Sequence, residues 1–211
     1  MNNSNQGLVI VISSPSGAGK STLVRNLMSF DPNLRLSTSF TTRPPRRGEI
    51  NGRDYHFVEE NEFKQKIAVK DFIEHTEIFG YHYGTDKKEV TDLLNTGRDV
   101  IFDLDWYGQR QILEHFCKNQ VCSVFVLPPS LNALKDRLES RALDSPDEIK
   151  KRFNNAKDEI KNWRCYSFTL VNDDIDHTIA DLQAIIRTKR LERFTENIAP
   201  KFVKQLNSEK V

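Results

Sequence analysis

The sequence predicts an α/β fold of three layers, in which a five-stranded parallel sheet lies between helices. Two observations support this prediction. Short apolar runs alternate with helix-like stretches along the chain, and the first run leads through a glycine-rich loop into a helix. Such runs are typical of strands buried on both faces, as in a parallel sheet covered by helices. A chain of 211 residues is long enough for one such domain with small insertions.

Five apolar runs are the candidate strands of the parallel sheet. They cover residues 8–12, 34–38, 100–104, 123–127 and 168–171. Each of the last three follows a helix-like stretch, which is the rhythm of right-handed β-α-β crossovers. The sequence therefore predicts one core whose chain is interrupted by two inserted segments, called here the first and second excursions.

The first excursion, residues 39–96, predicts an insertion with its own small sheet. Residues 54–58 and 72–79 are predicted as antiparallel strands with a helix over Glu60–Ala68 between them. Residues 80–84 are predicted as a turn because glycines flank them, and Thr85 or Asp86 as the N-cap of a helix through Leu94. The second excursion, residues 130–163, is predicted to be helical, with a break at residues 143–146.

Composition excludes several classes of protein. The net charge of +1 argues against a dedicated nucleic-acid binder. Cys117, Cys122 and Cys165 are too few and too scattered for a disulfide framework or a zinc site, so we expect reduced thiols. No apolar stretch reaches membrane-spanning length, and the N-terminal residues are short and polar. We therefore expect a soluble cytoplasmic protein that acts on neither nucleic acid nor membranes.

The loop after the first strand carries the strongest motif. It reads Ser14-Pro15-Ser16-Gly17-Ala18-Gly19-Lys20-Ser21, followed by Thr22. Between a strand and a helix, this pattern predicts a P-loop whose backbone N–H groups bind phosphates. Lys20 would reach the β- and γ-phosphates of a nucleoside triphosphate, and the Ser21 hydroxyl would bind Mg²⁺. A flexible serine-glycine linker is the alternative, but it leaves Lys20 and the preceding strand unexplained.

Two groups of arginines are candidates for further phosphate contacts. Arg43 and Arg46 lie near Tyr55 in the first excursion, where they predict a second phosphate site; a solvated loop is the alternative. Arg137 and Arg141, four residues apart on one helix face, and Arg152 lie in the second excursion. They are either surface arginines or the cations of a lid that stabilises a transferring phosphoryl group, and the sequence leaves both open.

Three carboxylates complete the candidate site. Asp103 and Asp105 end the strand at residues 100–104, where acidic side chains beside a P-loop hold Mg²⁺ or its waters. Glu74 lies within an apolar stretch. If it is buried, its carboxylate suits the N1–H and N2 amino group of guanine, which adenine lacks.

Taken together, these residues resemble the guanylate kinase family over nearly the whole chain. The shared motifs are Ser16 to Thr22, Ser39 to Arg43, Pro45 to Glu49, Phe72-Ile73-Glu74, Tyr83-Gly84-Thr85, Asp103-Leu104-Asp105 and Val171 to Asp174. The resemblance implies a P-loop NTPase three-layer fold with a five-stranded parallel core, an inserted mixed α/β GMP-binding subdomain and a helical lid. It further implies transfer of the ATP γ-phosphoryl group to GMP with Mg²⁺.

The resemblance also implies roles for individual residues. Arg43, Arg46, Tyr55 and Tyr83 would hold the GMP phosphate; Ser39, Glu74 and Thr85 would bind guanine; Asp103 and Asp105 would support the GMP site. Arg137, Arg141 and Arg152 would be the catalytic cations beside Lys20, and Asn172 would lie near the ATP base. The chain departs from the family pattern at Phe40, Tyr107 and Ser140-Arg141-Ala142.

We expect the core to comprise residues 1–38, 97–130 and 156–211, the GMP-binding subdomain 39–96 and the lid 131–155. The alternative functions are a guanylate-kinase-like scaffold module that binds phosphopeptides and a kinase for another nucleoside monophosphate. The C-terminal tail, residues 187–211, is predicted as a charged helix, a break near Pro200 and a second short helix. A solvated tail is favoured, and self-association into a homo-oligomer stays open.

Overall fold

The structure, a computed structural model, describes residues 6–78, 80–140 and 146–209. Phe79, Arg141 and residues 143–145 of the predicted helix break therefore lie outside the described residues. The described strands are β1 (Val9–Ser13), β2 (Leu34–Leu36), β3 (Ser39–Thr41), β4 (His56–Phe57), β5 (Phe72–Ile78), β6 (Tyr81–Asp86), β7 (Asp99–Asp103), β8 (Val121–Leu127) and β9 (Phe168–Val171). The described α-helices are α1 (Lys20–Phe30), α2 (Glu60–Ala68), α3 (Lys87–Asn95), α4 (Trp106–His115), α5 (Leu131–Glu139), α6 (Pro146–Ile160), α7 (Ile175–Arg193) and α8 (Ala199–Leu206).

The five strands predicted for the core form one parallel sheet in the order β2-β7-β1-β8-β9. All five residues of β1 are buried, as expected for the central strand of a covered sheet. The chain leaves β1 toward β2 on one side, whereas β8 lies on the other side. The carboxyl end of β1 is therefore the switch point at which open parallel sheets bind their ligands.

Two apolar clusters on opposite faces of this sheet confirm the three-layer prediction. On one face, Leu23 of α1 and Leu182 of α7 pack against the strands. On the other face, Val90 of α3 and Ile112 of α4 do so. Each of these four side chains is almost fully buried, which contributes roughly 1.5–3 kcal/mol apiece relative to exposure.

The small sheet of the insertion is mixed, with the order β4-β3-β6-β5. The prediction that residues 54–58 and 72–79 pair as antiparallel strands is wrong. β4 and β5 lie at opposite edges and run in the same direction, because β4 pairs in parallel with β3, and β6 lies antiparallel to both β3 and β5. The middle strands β3 and β6 were missed because a proline pair follows one and glycines flank the other.

The predicted turn at residues 80–84 is also wrong beyond its first residue. Gly80 has φ of +81° and makes the turn, but Tyr81 to Gly84 belong to β6. At Gly84 a Cβ atom would lie 3.1 Å from the rings of Phe63 and Phe72. This glycine therefore allows aromatic rings to pack onto the strand rather than bending the chain.

Two helix predictions in the insertion are confirmed. The helix over Glu60–Ala68 has those bounds, and Asp86 caps α3 through Oδ1, which accepts from the N–H groups of Lys88 and Glu89. Thr85, the alternative cap, instead lies in β6.

A side-chain amide docks the small sheet onto the core. Gln111 of α4 accepts from the N–H of His75 at 3.1 Å and donates to its carbonyl at 2.8 Å. The amide thus takes the place of a neighbouring strand at the edge of β5, and it fixes the position of Glu74, the residue before His75, relative to the parallel sheet.

Two arginines at the end of α7, within the tail that the sequence analysis favoured as solvated, instead tie this helix to the core. Arg190 of α7 donates from Nε to Asp99 at 2.6 Å and pairs with Asp31 at 2.6 Å, and Arg193 donates to the Gly7 carbonyl. The break before α8 is a π-helical turn at Phe194–Ile198, and Pro200 lies in the first turn of α8. Among the described helices, none is both long and apolar enough to cross a bilayer.

We expect Gln111→Ala to lower the free energy of unfolding by about 1–3 kcal/mol, because the half-buried N–H and C=O of His75 lose their partners. Denaturant unfolding measures this loss. Gln65→Ala, at an exposed position of α2, is the matched control and should change stability by less than about 0.5 kcal/mol. Equal effects of the two substitutions would show that Gln111 does not dock the sheet.

Candidate active site

The loop between β1 and α1 has the backbone of an anion-binding loop. Gly17 and Gly19 have φ of +94° and +98°, values that favour glycine, and they turn the chain into the first residue of α1, Lys20. Among the described residues, no side chain caps α1, and its first turn carries no acidic residue. The helix N-terminus therefore offers its free N–H groups and positive dipole end to an anion.

Two predicted site residues contact one carbonyl group of this loop. Asn172 is buried and donates from Nδ2 to the carbonyl of Ala18 at 2.7 Å. Arg137 of α5 donates to the same carbonyl and to that of Asn172, each at 3.3 Å. A Cβ atom at Gly19 would lie 2.7 Å from the Asn172 amide. These contacts hold the loop through the Ala18 carbonyl and leave no room for a side chain at Gly19.

Lys20 and the acidic end of β7 meet in front of the loop. The ammonium of Lys20 pairs with Asp103, and it donates to the Leu104 carbonyl at 3.4 Å. The parallel register places Ile12 of β1 beside Asp103, so the P-loop and the two aspartates follow neighbouring strand ends. Asp105 accepts from the Gly108 N–H at 2.8 Å and caps α4.

Oxygen ligands suited to Mg²⁺ lie at this end of the cleft. The Ser21 hydroxyl and the carboxylates of Asp103 and Asp105 line it, and hard oxygen donors are the ligands that Mg²⁺ prefers. Among the described residues, no group of three or more His, Cys, Asp and Glu side chains is arranged to hold a metal. The donor set therefore fits an ion that takes its other ligands from phosphate and water.

The arginine-rich segment of the insertion forms a second cationic surface. Arg43 is buried, forms a two-oxygen contact with Glu49 at 2.8 and 3.0 Å, and lies 5.4 Å from the centre of the Tyr55 ring. Burial alone would raise the pKa of Glu49, but the hydrogen bonds from Arg43 and from the Arg46 N–H bring it below its usual value. Burial, followed by the charge of Asp103, raises the pKa of Tyr55 to about 12, so its hydroxyl stays a neutral donor.

Glu74 is the most unusual group of the site. Only 1% of it is exposed; Oε1 accepts from the Thr85 hydroxyl at 2.6 Å, whereas Oε2 is buried and has no partner among the described residues. The Thr85 hydroxyl in turn lies 3.4 Å from that of Ser39. Burial raises the pKa of Glu74 to about 7; the Thr85 hydrogen bond opposes this rise and the charge of Asp105 adds to it. A Cβ atom at Gly108 would lie 3.2 Å from Oε2, so this glycine leaves room beside the carboxylate.

One cleft of about 330 Å³ joins these parts. The predicted site residues that line it are Ser14, Pro15, Ser16, Gly17, Gly19, Lys20, Ser21, Ser39, Arg46, Tyr55, Glu74, Tyr83, Asp103, Asp105 and Arg152. The structure therefore brings the P-loop, from one sheet, and Glu74, from the other, to the same space. Arg43 and Thr85 contact the lining residues Tyr55 and Glu74, and Arg137 and Asn172 hold the P-loop through the Ala18 carbonyl. Arg141 lies outside the described residues.

Sequence reasoning missed two acidic residues that line the cleft, Asp54 and Glu159, of which Glu159 contacts the P-loop. Glu159 lies near the end of α6, lines the cleft, and accepts from the Ser16 N–H at 3.2 Å. Its position seven residues after Arg152, about two helical turns, places both on one helix face. That spacing was the available signal.

Comparisons with known proteins agree with this geometry. The family model described as guanylate kinase matches residues 6–189. Guanylate kinases of Ruegeria pomeroyi and Paramagnetospirillum magneticum are 44% and 45% identical; the alignments cover 97% and 96% of this chain and 96% and 94% of those proteins. The crystal structure of guanylate kinase from Anaplasma phagocytophilum matches with a TM-score of 0.71 at 32% identity, covering 88% of this chain and 87% of that chain. The chain therefore belongs to the guanylate kinase family.

Proposed function

We propose that this protein transfers the γ-phosphoryl group of ATP to GMP and yields ADP and GDP, reversibly, in guanine nucleotide metabolism. The observation that carries this proposal is the buried carboxylate of Glu74, which shares one cleft with a complete P-loop. A phosphate-binding loop by itself fits many nucleotide enzymes. The unpartnered carboxylate oxygen of Glu74 beside the loop indicates the second substrate, because a carboxylate suits a base that presents two hydrogen-bond donors.

The donor side binds the triphosphate of ATP. The P-loop N–H groups and Lys20 bind its phosphate oxygens, and Arg137 and Asn172 keep the loop in shape through the Ala18 carbonyl. Ser21, with Asp103 and Asp105 nearby, would hold Mg²⁺, which supplies charge neutralisation at the phosphates when bound. Lys20 exchanges its pairing with Asp103 for a phosphate oxygen as the nucleotide binds.

The acceptor side binds GMP at both ends. Arg46, Tyr55 and Tyr83 line the cleft and donate to its phosphate, while Arg43 supplies positive charge from beneath. At the other end Glu74 accepts from N1–H and the N2 amino group of guanine, and the hydroxyls of Ser39 and Thr85 complete the contact. Adenine presents an acceptor at N1, which would face the carboxylate and leave it unpaired.

The reaction needs no general base, because the attacking oxygen of GMP already belongs to an anionic phosphate. Catalysis then depends on holding donor and acceptor in line and on spreading charge over Lys20 and the arginines of the lid. Arg152 of α6 lines the cleft and would take this role, and we propose Arg137 and Arg141 as the further cations of the lid. Closure of the lid over the cleft would exclude water, which otherwise accepts the phosphoryl group.

Each segment of the chain has its own proposed role. Residues 39–96 form the GMP-binding subdomain, residues 131–155 the lid, and residues 1–38, 97–130 and 156–211 the core that carries the P-loop and the tail. Because ATP and GMP are metabolites of the cytoplasm, we place the reaction there.

A comparison of different nucleoside monophosphates as phosphoryl acceptors tests the proposal most simply. A coupled assay for ADP formation with Mg-ATP should show turnover with GMP and none above background with AMP, UMP or dTMP. Turnover with another monophosphate would contradict the role of Glu74. A folded protein that binds GMP without turnover would favour the phosphopeptide-binding module instead.

We expect Lys20→Ala to lower kcat by about three orders of magnitude, because the cation at the transferring phosphate is lost, with little change in GMP affinity. Lys64→Ala, an exposed lysine of α2, is the control and should leave both unchanged. Loss of GMP binding together with turnover in Lys20→Ala would show that the variant had lost its fold.

Glu74→Gln should weaken GMP binding and stabilise the free protein. Folding raises the pKa of Glu74 from about 4.5 to about 7, so its contribution to stability is full below pH 4.5 and is lost as pH rises through 7. At pH 8 the neutral amide should therefore raise the free energy of unfolding by about 1–2 kcal/mol. Denaturant unfolding and GMP titration measure the two effects, and a variant that loses both stability and affinity would contradict this account.

A further inference from the structure

The acidic side chain of Glu159 lies where an anion is least expected. Its Oε2 accepts from the N–H of Ser16 at 3.2 Å, and this N–H belongs to the loop that binds phosphates. Glu159 also lines the cleft that holds Lys20 and Asp103. A carboxylate in this place repels the triphosphate that the loop must bind.

The other two carboxylates near the P-loop have partners other than the backbone N–H groups of residues 14–19. Asp103 pairs with Lys20, and Asp105 caps α4. Glu159 instead engages the backbone of the loop itself. Burial raises its pKa, while the charge of Lys20 and the Ser16 N–H act in the opposite direction. A phosphate oxygen and the Glu159 carboxylate are therefore alternative acceptors for the same donor.

The helix that carries Glu159 also carries a cation to the cleft. Arg152 and Glu159 lie on one face of α6, about two turns apart, and both line the cleft. Because a helix moves as a rigid element, a displacement of Glu159 from Ser16 shifts Arg152 with it. The contact at Ser16 thus links the state of the P-loop to the position of Arg152 in the cleft.

We propose that Glu159 is a positioning residue of the donor site, whose carboxylate competes with the nucleotide phosphates for the Ser16 N–H and releases the end of α6 when they take it. This inference rests on the proposed function, in which ATP is the donor. This competition weakens the binding of the nucleotide to the P-loop. ADP has to compete with the same carboxylate, so Glu159 favours release of the product.

The test compares Glu159→Gln with Asp158→Asn. Both substitutions remove one negative charge from adjacent positions of α6, but Asp158 is exposed and pairs with Lys161 at the surface. Dissociation constants for ATP, ADP and inorganic tripolyphosphate are measured by calorimetry, with GMP as a ligand that should not respond. Thermal unfolding of both variants confirms that they fold.

Glu159→Gln should tighten the binding of ATP, ADP and tripolyphosphate by roughly fivefold, because a neutral amide competes for the Ser16 N–H less strongly than a carboxylate does, and it should leave GMP binding unchanged. Asp158→Asn should change none of them by more than about 1.5-fold, because an exposed charge is screened. Equal or weaker phosphate binding by a folded Glu159→Gln variant would overturn the proposal, as would a gain for ATP without a gain for tripolyphosphate. Wild-type turnover with GMP in the same preparation tests the proposed function separately.

Discussion

The contact between β5 and α4 is the constraint on which the site depends. Gln111 pairs with the backbone of His75 in both directions, so the edge of the small sheet is fixed to a helix of the parallel core. This contact turns Glu74 toward the end of β7, where Gly108 leaves it space. The P-loop, which follows a strand of the parallel sheet, and Glu74, in the small sheet, then line one cleft. A change in the docking angle would move Glu74 relative to the P-loop.

The charged groups in and beside the cleft differ in whether they have partners within the protein. Lys20 of α1 and Arg43, which follows β3, each form an ion pair with a nearby carboxylate. Substrates with several negative charges would displace these internal partners and take over their cations. Glu74 is the exception, since its second oxygen has no partner among the described residues and is buried at a cost in stability. Under the proposed function, the binding of guanine to this carboxylate offsets that cost.

Sequence patterns predicted the parallel core and most of the cleft, because strand runs and the P-loop are local signals. The small sheet was only partly predictable. Gly84 indicated a turn, yet it serves the packing of Phe72, a tertiary effect that no local pattern carries. The roles of Gln111 and Glu159 were missed for the same reason, since their partners lie far away along the chain. The burial of Glu74 could be stated only as a condition.

The central claim is that Glu74 binds guanine as a carboxylate, and proton release on GMP binding tests it most directly. With a pKa of about 7, Glu74 is half protonated at pH 7 and must ionise to accept from N1–H and the N2 amino group. Calorimetry in two buffers of different ionisation enthalpy should therefore show release of about half a proton per GMP bound, beyond the release seen with Glu74→Gln. Proton uptake, or the same release in both proteins, would contradict this account of base recognition.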